Sequence, residues 1–387
     1  MFERLIAKQL KKVATSFPVT VLTGPRQSGK TTLLKTLFPE KRYINLENPD
    51  EMLMMREDPR GVLEDHREGW IIDEVQNMPE LLSFIHGMIE EAPKPGRFIL
   101  SGSQNLLLSE AVSETLAGRA AILELLPLSY EEYLSDPNSE PLTLWEFIFK
   151  GSYPRPYHEH LDVNQWYASY IKTYLERDVR RISSIGDLGK FQLFMRLCAA
   201  RNGQELNLSE LAGQTGLSVP TANKWLSILE ASYIVHRVMP FYKNYNKRLV
   251  KTAKLYFYDS SLVCRLLGLT AVEQVRVQSF SGALFEGMVL AEVKKNFFAL
   301  GMDQPLYFWK QHQGLELDLV LDIGGKLLAF KMKSSATYDS KYLANLIKWR
   351  EMTAEPMENT ILIYGGDRSF TQKGIKVKSW KQIKEFI

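Results

Sequence analysis

The first third of the chain alternates short apolar runs with stretches in which apolar positions recur every three or four residues. Residues 19–23 form a β-branched run, and Leu33, Leu34 and Leu37 follow it at helical spacing. Residues 42–47 read as a second strand, Asn48-Pro49-Asp50 as a stop, and a helix is expected from near Glu51. Trp70, Ile71 and Ile72 make a third strand that ends in two acids. Residues 79–91 place Leu81, Leu82, Ile85, Met88 and Ile89 on one helical face. Residues 97–103 and 120–126 supply the fourth and fifth strands. This alternation predicts an α/β fold, a parallel sheet with helices on both faces and ligands at the carboxyl ends of the strands.

Beyond Tyr130 the pattern changes. Residues 130–201 are helical and aromatic-rich, broken by Asp136-Pro-Asn-Ser-Glu-Pro141 and Tyr153-Pro-Arg-Pro156, and a helical lid over the sheet's ligand is expected. Residues 206–229 have helix-turn-helix spacing. Ser209 is expected to cap a short helix that Gly216 ends, and Ser218 with Pro220 to start another whose apolar face includes Ala222, Leu226 and Leu229. Residues 233–238 and 251–258 read as a hairpin around 241–250, which makes the unit a winged helix. From Ser279 onward come a helix at 284–292, strands at 306–309, 315–322 and 326–334, a helix at 341–351 and a strand at 360–364. The expected division is a parallel-sheet core at 1–135, a lid at 136–203, the winged helix at 204–270 and a C-terminal α/β domain at 271–387.

Composition adds limits. The chain has 387 residues, enough for two to four domains, and a net charge of +3 that decides little about partners. No apolar run approaches the roughly twenty residues a membrane-spanning helix needs. The N-terminal segment, charged and amphipathic, is expected to belong to the fold rather than to a targeting signal. Cys198 and Cys264 lie in apolar helical contexts, where buried free thiols are expected.

The chemistry is concentrated after the first strand, in Gly24-Pro25-Arg26-Gln27-Ser28-Gly29-Lys30-Thr31-Thr32. Gly24 and Gly29 admit backbone angles that let the loop curl with its N–H groups aimed at an anion, and the following helix adds its positive end. Lys30 brings a point charge to the β- and γ-phosphates, and the Thr31 hydroxyl completes a Mg2+ shell. This is a Walker A loop in its required strand-before, helix-after context, so ATP and Mg2+ are the expected cofactors. A paired Walker B strand is expected at residues 69–75, with Asp73 holding the metal's hydration shell and Glu74 orienting and deprotonating the attacking water. Ser103, with Gln104 and Asn105, emerges beside that strand as a nucleotide sensor or as an ordinary polar strand end. Arg119 is either a phosphate ligand, of its own or a neighbouring subunit, or a surface arginine.

Together these motifs, with Leu-Ala-Gly118-Arg119, Leu125-Leu-Pro-Leu-Ser129, Gly151-Ser-Tyr-Pro154, Tyr174-Leu-Glu-Arg-Asp178-Val and Lys247-Arg-Leu-Val-Lys251, resemble a widespread prokaryotic group of AAA-superfamily ATPases. The resemblance covers nearly the whole chain. It implies ATP binding, leaves the biological task open, and makes oligomers an expectation. ATP use points to the cytoplasm.

Arg177, Arg180 and Arg181 are either a solvated helix face, with Glu176 and Arg180 paired at i,i+4, or arginines offered to a neighbour's γ-phosphate. Lys243, Lys247, Arg248, Lys251 and Lys254, with Tyr242 and Tyr245, make the wing basic and aromatic, which suits a nucleic-acid backbone. The second helix turns only Thr221, Asn223 and Lys224 outward, little for reading bases, so a connector to another protein surface stands as the other reading.

The C-terminal order resembles a restriction-endonuclease-type core. That likeness implies a metal site from Glu286, Asp318, a strand Glu and Lys333, but the strand position holds Lys331. An ammonium there repels the cation a carboxylate would bind, so loss of nuclease activity and a Lys331–Asp318 pair are expected. The sequence thus points to an ATP-hydrolysing switch or motor that acts on DNA or an unknown protein partner. An ATP-gated nuclease and a nucleotide-binding scaffold with negligible turnover are its rivals.

Overall fold

β1 (Val19–Thr23) is buried along its whole length and lies inside a five-stranded parallel sheet. The order is β2 (Arg42–Asn45), β3 (Trp70–Asp73), β4 (Phe98–Gly102), β1, β5 (Ala120–Glu124). The computed structural model describes residues 2–103, 112, 114–175, 187–242, 252–311, 314–353 and 355–386. Strand alternation sends neighbouring residues to opposite faces. Leu22, Ile71 and Ile99 pack with Leu10 and Leu34, while Val21, Ile72 and Leu100 pack with Ile85. Helices therefore cover both sides of the sheet, as a parallel sheet requires. The register, Thr23 beside Gly102 and Glu124, and Asn45 beside Asp73, brings the carboxyl ends to one edge.

Helix Lys30–Leu37 starts directly from the loop after β1. The next helix starts at Pro49, earlier than expected, because Asn48 accepts from the Asp50 N–H and Pro49 occupies the first turn.

In the second half, helices Leu208–Thr215 and Val219–Ala231 form the expected pair. Asn207, not Ser209, caps the first, its side chain accepting from the Glu210 N–H. β6 (Val235–Pro240) and β7 (Lys254–Phe257) are antiparallel, with Val235 opposite Phe257. The far end of β6 then pairs in parallel with β8 (Tyr307–Lys310), through Met239 beside Tyr307 and Pro240 beside Phe308. An eight-stranded mixed sheet results, in the order β12 (Phe370–Gln372), β13 (Ile375–Ser379), β11 (Thr360–Tyr364), β10 (Lys326–Lys333), β9 (Glu316–Ile323), β8, β6, β7.

That junction joins the strands after the helix pair to the C-terminal sheet. Phe147, Tyr167, Phe194, Leu226, Phe285 and Phe330 belong to one core that runs through the expected lid, the helix pair and the C-terminal segment, while Leu317, Trp349 and Leu362 belong to a second cluster in the C-terminal sheet. The helices at Leu144–Lys150 and Val163–Tyr170 bury their aromatic faces in the first of these. Cys198 and Cys264 are free and buried there, and burial pushes both thiols up to about 12, out of the reactive range. Among the described residues no helix is long and apolar enough to cross a membrane.

Candidate nucleotide site

The phosphate loop is shaped by what stands against its two glycines. Gly24 has φ +146°, and a side chain there would sit 2.2 Å from the Leu125 carbonyl oxygen. Gly29 has φ +96°, and a side chain would meet Arg4 Nη1 at 3.3 Å and Pro154 Cγ at 3.9 Å. Both glycines hold backbone angles that side chains resist, and at Gly24 the Leu125 carbonyl also leaves no room for a Cβ. Lys30 Nζ donates to the Gly24 and Pro25 carbonyls at 2.8 and 2.9 Å, which draws the loop round its own lysine. The Ser28 hydroxyl is buried without a hydrogen-bond partner among the described residues. Arg26 pairs with Glu47 at 3.1 Å, so it braces the loop against the end of β2.

Asp73 joins the two motifs. Its Oδ2 accepts from Thr31 Oγ1 at 2.6 Å and from the Tyr43 hydroxyl at 3.0 Å. Its Oδ1 accepts from Ser101 Oγ at 2.5 Å and from the Glu74 N–H at 3.1 Å. Four donors on one buried carboxylate fix its orientation. Burial, then the Asp73 charge, drives the Tyr43 phenol upward, so it stays a donor. Glu74 holds φ +53°, a left-handed conformation unusual for a carboxylate residue, and it starts the turn Val75–Asn77. Its Oε2 accepts from Ser103 Oγ at 3.0 Å and from Gln76 Nε2.

The structure thus brings Thr31, Asp73, Glu74, Lys30 and Ser103 together, with Ser103 on Glu74. Arg119 is not among them. It precedes β5, its carbonyl accepts from the Val19 N–H at the opposite end of the sheet, and its guanidinium pairs with Glu90 at 2.5 Å. Contact with a phosphate in its own subunit is therefore corrected: parallel strands put residue 119 at the wrong edge. Gln104, Asn105, Arg177, Arg180, Arg181, Lys243, Tyr245, Lys247, Arg248 and Lys251 lie outside the described residues. Lys254, assigned above to the wing, is 6% exposed and pairs with Glu316, so it faces the protein rather than a partner.

Sequence reasoning missed Tyr43, Ser101, Gln76 and Arg4. Tyr43 and Ser101 reach Asp73 from β2 and β4, and only the strand order makes them neighbours. Arg4 donates to the Ser28 carbonyl at 2.7 Å and the Leu126 carbonyl at 2.6 Å, and lies 3.2 Å from Glu132. With this side chain only 7% exposed, Arg4→Ala is expected to cost about 2 kcal/mol in urea unfolding and to weaken nucleotide binding. Unchanged values in both measurements would show that the N-terminal segment does not support the loop.

The second charged cluster lies in the large sheet. Lys331 Nζ donates to Asp318 Oδ1 at 2.6 Å, and the Met332 N–H donates to Oδ2 at 2.6 Å. Glu286 accepts from the Tyr256 hydroxyl at 3.1 Å; burial first, and the Asp318 charge second, push its carboxyl up to about 7. Lys333 departs from the expected grouping, its ammonium lying over the Tyr342 ring at 5.9 Å. Among the described residues no group of three or more His, Cys, Asp and Glu side chains is arranged to hold a metal ion.

Residues 16–134 match the model of an AAA domain, 142–273 a domain of unknown function (DUF8612) and 281–383 another (DUF4143). The uncharacterized protein MJ1544 of Methanocaldococcus jannaschii is 22% identical over 78% of this chain and 72% of its own length. Among solved structures, the Walker-type ATPase paby2304 of Pyrococcus abyssi is 16% identical, with 69% of this chain and 96% of that one covered at a TM-score of 0.48. The uncharacterized protein Rv2008c of Mycobacterium tuberculosis is 30% identical over 336 residues, 86% of this chain and 74% of that protein. On that identity and coverage the chain belongs to the family of Rv2008c, and its N-terminal unit is an AAA-type P-loop ATPase domain.

Proposed function

We propose that the chain hydrolyses ATP and acts as a switch or motor, coupling its nucleotide state to the binding of DNA or a protein partner. The observation that carries this reading is the Thr31–Asp73 contact at 2.6 Å with Glu74 beside it, at the carboxyl edge of the sheet. The Thr31 hydroxyl and Asp73 carboxylate are hard oxygen donors and fit Mg2+, which when bound would offset phosphate charge. The backbone of residues 24–32 cradles the phosphates, and Lys30 reaches them by exchanging its loop carbonyls for phosphate oxygens. Glu74, aimed by Ser103 and Gln76, holds the attacking water and takes its proton.

The gated-nuclease reading loses support at Lys331. Its ammonium lies against Asp318, where a divalent cation would need that carboxylate, so the cluster supports a structural role. In the helix pair Asn223 and Lys224 are exposed and open to a partner.

The partner is tested by phosphate release with and without duplex DNA at low and high salt. DNA coupling is expected to raise the rate several-fold at low salt and to fade as salt rises. A rate indifferent to DNA removes nucleic acid and leaves a protein as the partner.

A further inference from the structure

The helix pair ends twice in the same way. After Leu208–Thr215, Gly216 has φ +64°, its N–H donates to the Gly213 carbonyl, and the Leu217 N–H donates to that of Ala212. After Val219–Ala231 the same two bonds run from Tyr233 to Glu230 and from Ile234 to Leu229, and Tyr233 has φ +56°. This is the Schellman arrangement, whose left-handed residue is ordinarily glycine. A tyrosine resists that conformation, so its side chain must offset the strain.

That side chain runs to the root of the phosphate loop. Tyr233 is 4% exposed; its hydroxyl donates to Glu124 Oε1 at 2.7 Å and lies 2.9 Å from Thr23 Oγ1. With its one proton on Glu124, it accepts from Thr23, whose proton is shared with the Leu123 carbonyl at 3.3 Å. Thr23 is the last residue of β1, bonded directly to Gly24, and it pairs in register with Glu124. Leu125, next after Glu124, supplies the carbonyl that shapes Gly24. The Tyr233 ring packs with Leu126, Tyr258 and Phe298, so the hydroxyl is held from the second half of the molecule.

We propose that Tyr233 is a positioning residue for the phosphate loop, tying the root of that loop to the end of the second helix, Val219–Ala231. The proposal rests on the loop being an ATP site. ATP binding then alters the stability of the helix end, and a partner docked on the helix pair alters ATP affinity by the same factor.

The test uses the intact chain with Mg2+ and a non-hydrolysable ATP analogue. It compares the parental protein with Tyr233→Phe, Thr23→Val, the double variant and Lys30→Ala. Tyr233→Phe keeps the ring, and Thr23→Val removes the partner hydroxyl at nearly the same volume, so either decides the matter if the other does not fold. Each single substitution is expected to raise Kd five- to twentyfold, and the double variant by no more than twofold beyond the larger single effect. The analogue is expected to slow amide exchange over residues 219–234 in the parental protein, and that slowing is lost in both single variants. A merely structural role would lower the unfolding midpoint and leave the exchange response in place. A Kd within twofold of the parental value, effects that multiply, or exchange slowing that persists would overturn the proposal. Parental binding no tighter than that of Lys30→Ala would instead remove the ATP-site reading, and the proposal with it.

Discussion

Lys30→Ala is expected to weaken ATP binding in the presence of Mg2+ by about a hundredfold, because a charge-assisted contact to phosphate contributes about 3 kcal/mol in a buried site. Lys30 is 5% exposed, and its ammonium already touches two loop carbonyls at 2.8 and 2.9 Å. The substitution therefore removes both the cation and the post round which the loop is wound. Titration calorimetry checks it, and a Kd within threefold of the parental value would mean that the loop binds no phosphate through this residue.

The largest stability effect is expected in the other sheet. Lys331→Ala leaves Asp318, 2% exposed, with the Met332 N–H but without its ammonium partner. An uncompensated buried charge costs about 3–5 kcal/mol, read from urea unfolding. Lys331→Met combined with Asp318→Asn is expected to recover much of that loss, because neither charge then remains to be desolvated. An unchanged unfolding midpoint in Lys331→Ala would contradict a structural role for the pair.

Local grammar carried the ATPase core. Each strand there is a short apolar run followed by a helical stretch, and Gly24, Gly29, Lys30 and Thr31 have fixed spacing, so the sheet and loop were legible from the chain alone. What escaped depends on the partner strand. Tyr43 and Ser101 are ordinary strand residues until the order β2-β3-β4 sets them on either side of Asp73. Arg119 misled for the same reason, since its distance from the loop is decided by strand direction. The hairpin β12–β13 was missed although Lys373-Gly374 carries a two-residue turn signal, with φ +50° and +74°, before the alternating Ile-Lys-Val-Lys. The β6–β8 junction left no local trace, because it pairs residues 68 apart in the chain, Met239 with Tyr307. Tyr233 was hidden in another way, as an aromatic standing where a glycine would have signalled the helix end.

In the proposed reaction Glu74 activates the water that hydrolyses a bound ATP. The direct measurement is steady-state phosphate release from ATP and Mg2+ by the intact chain and by Glu74→Gln, with ATP binding followed in parallel. Release by the parental chain is expected, with at least a hundredfold slower release by Glu74→Gln and affinity within a few-fold of parental. Equal release from the two proteins, or none from either while both bind ATP, would contradict it.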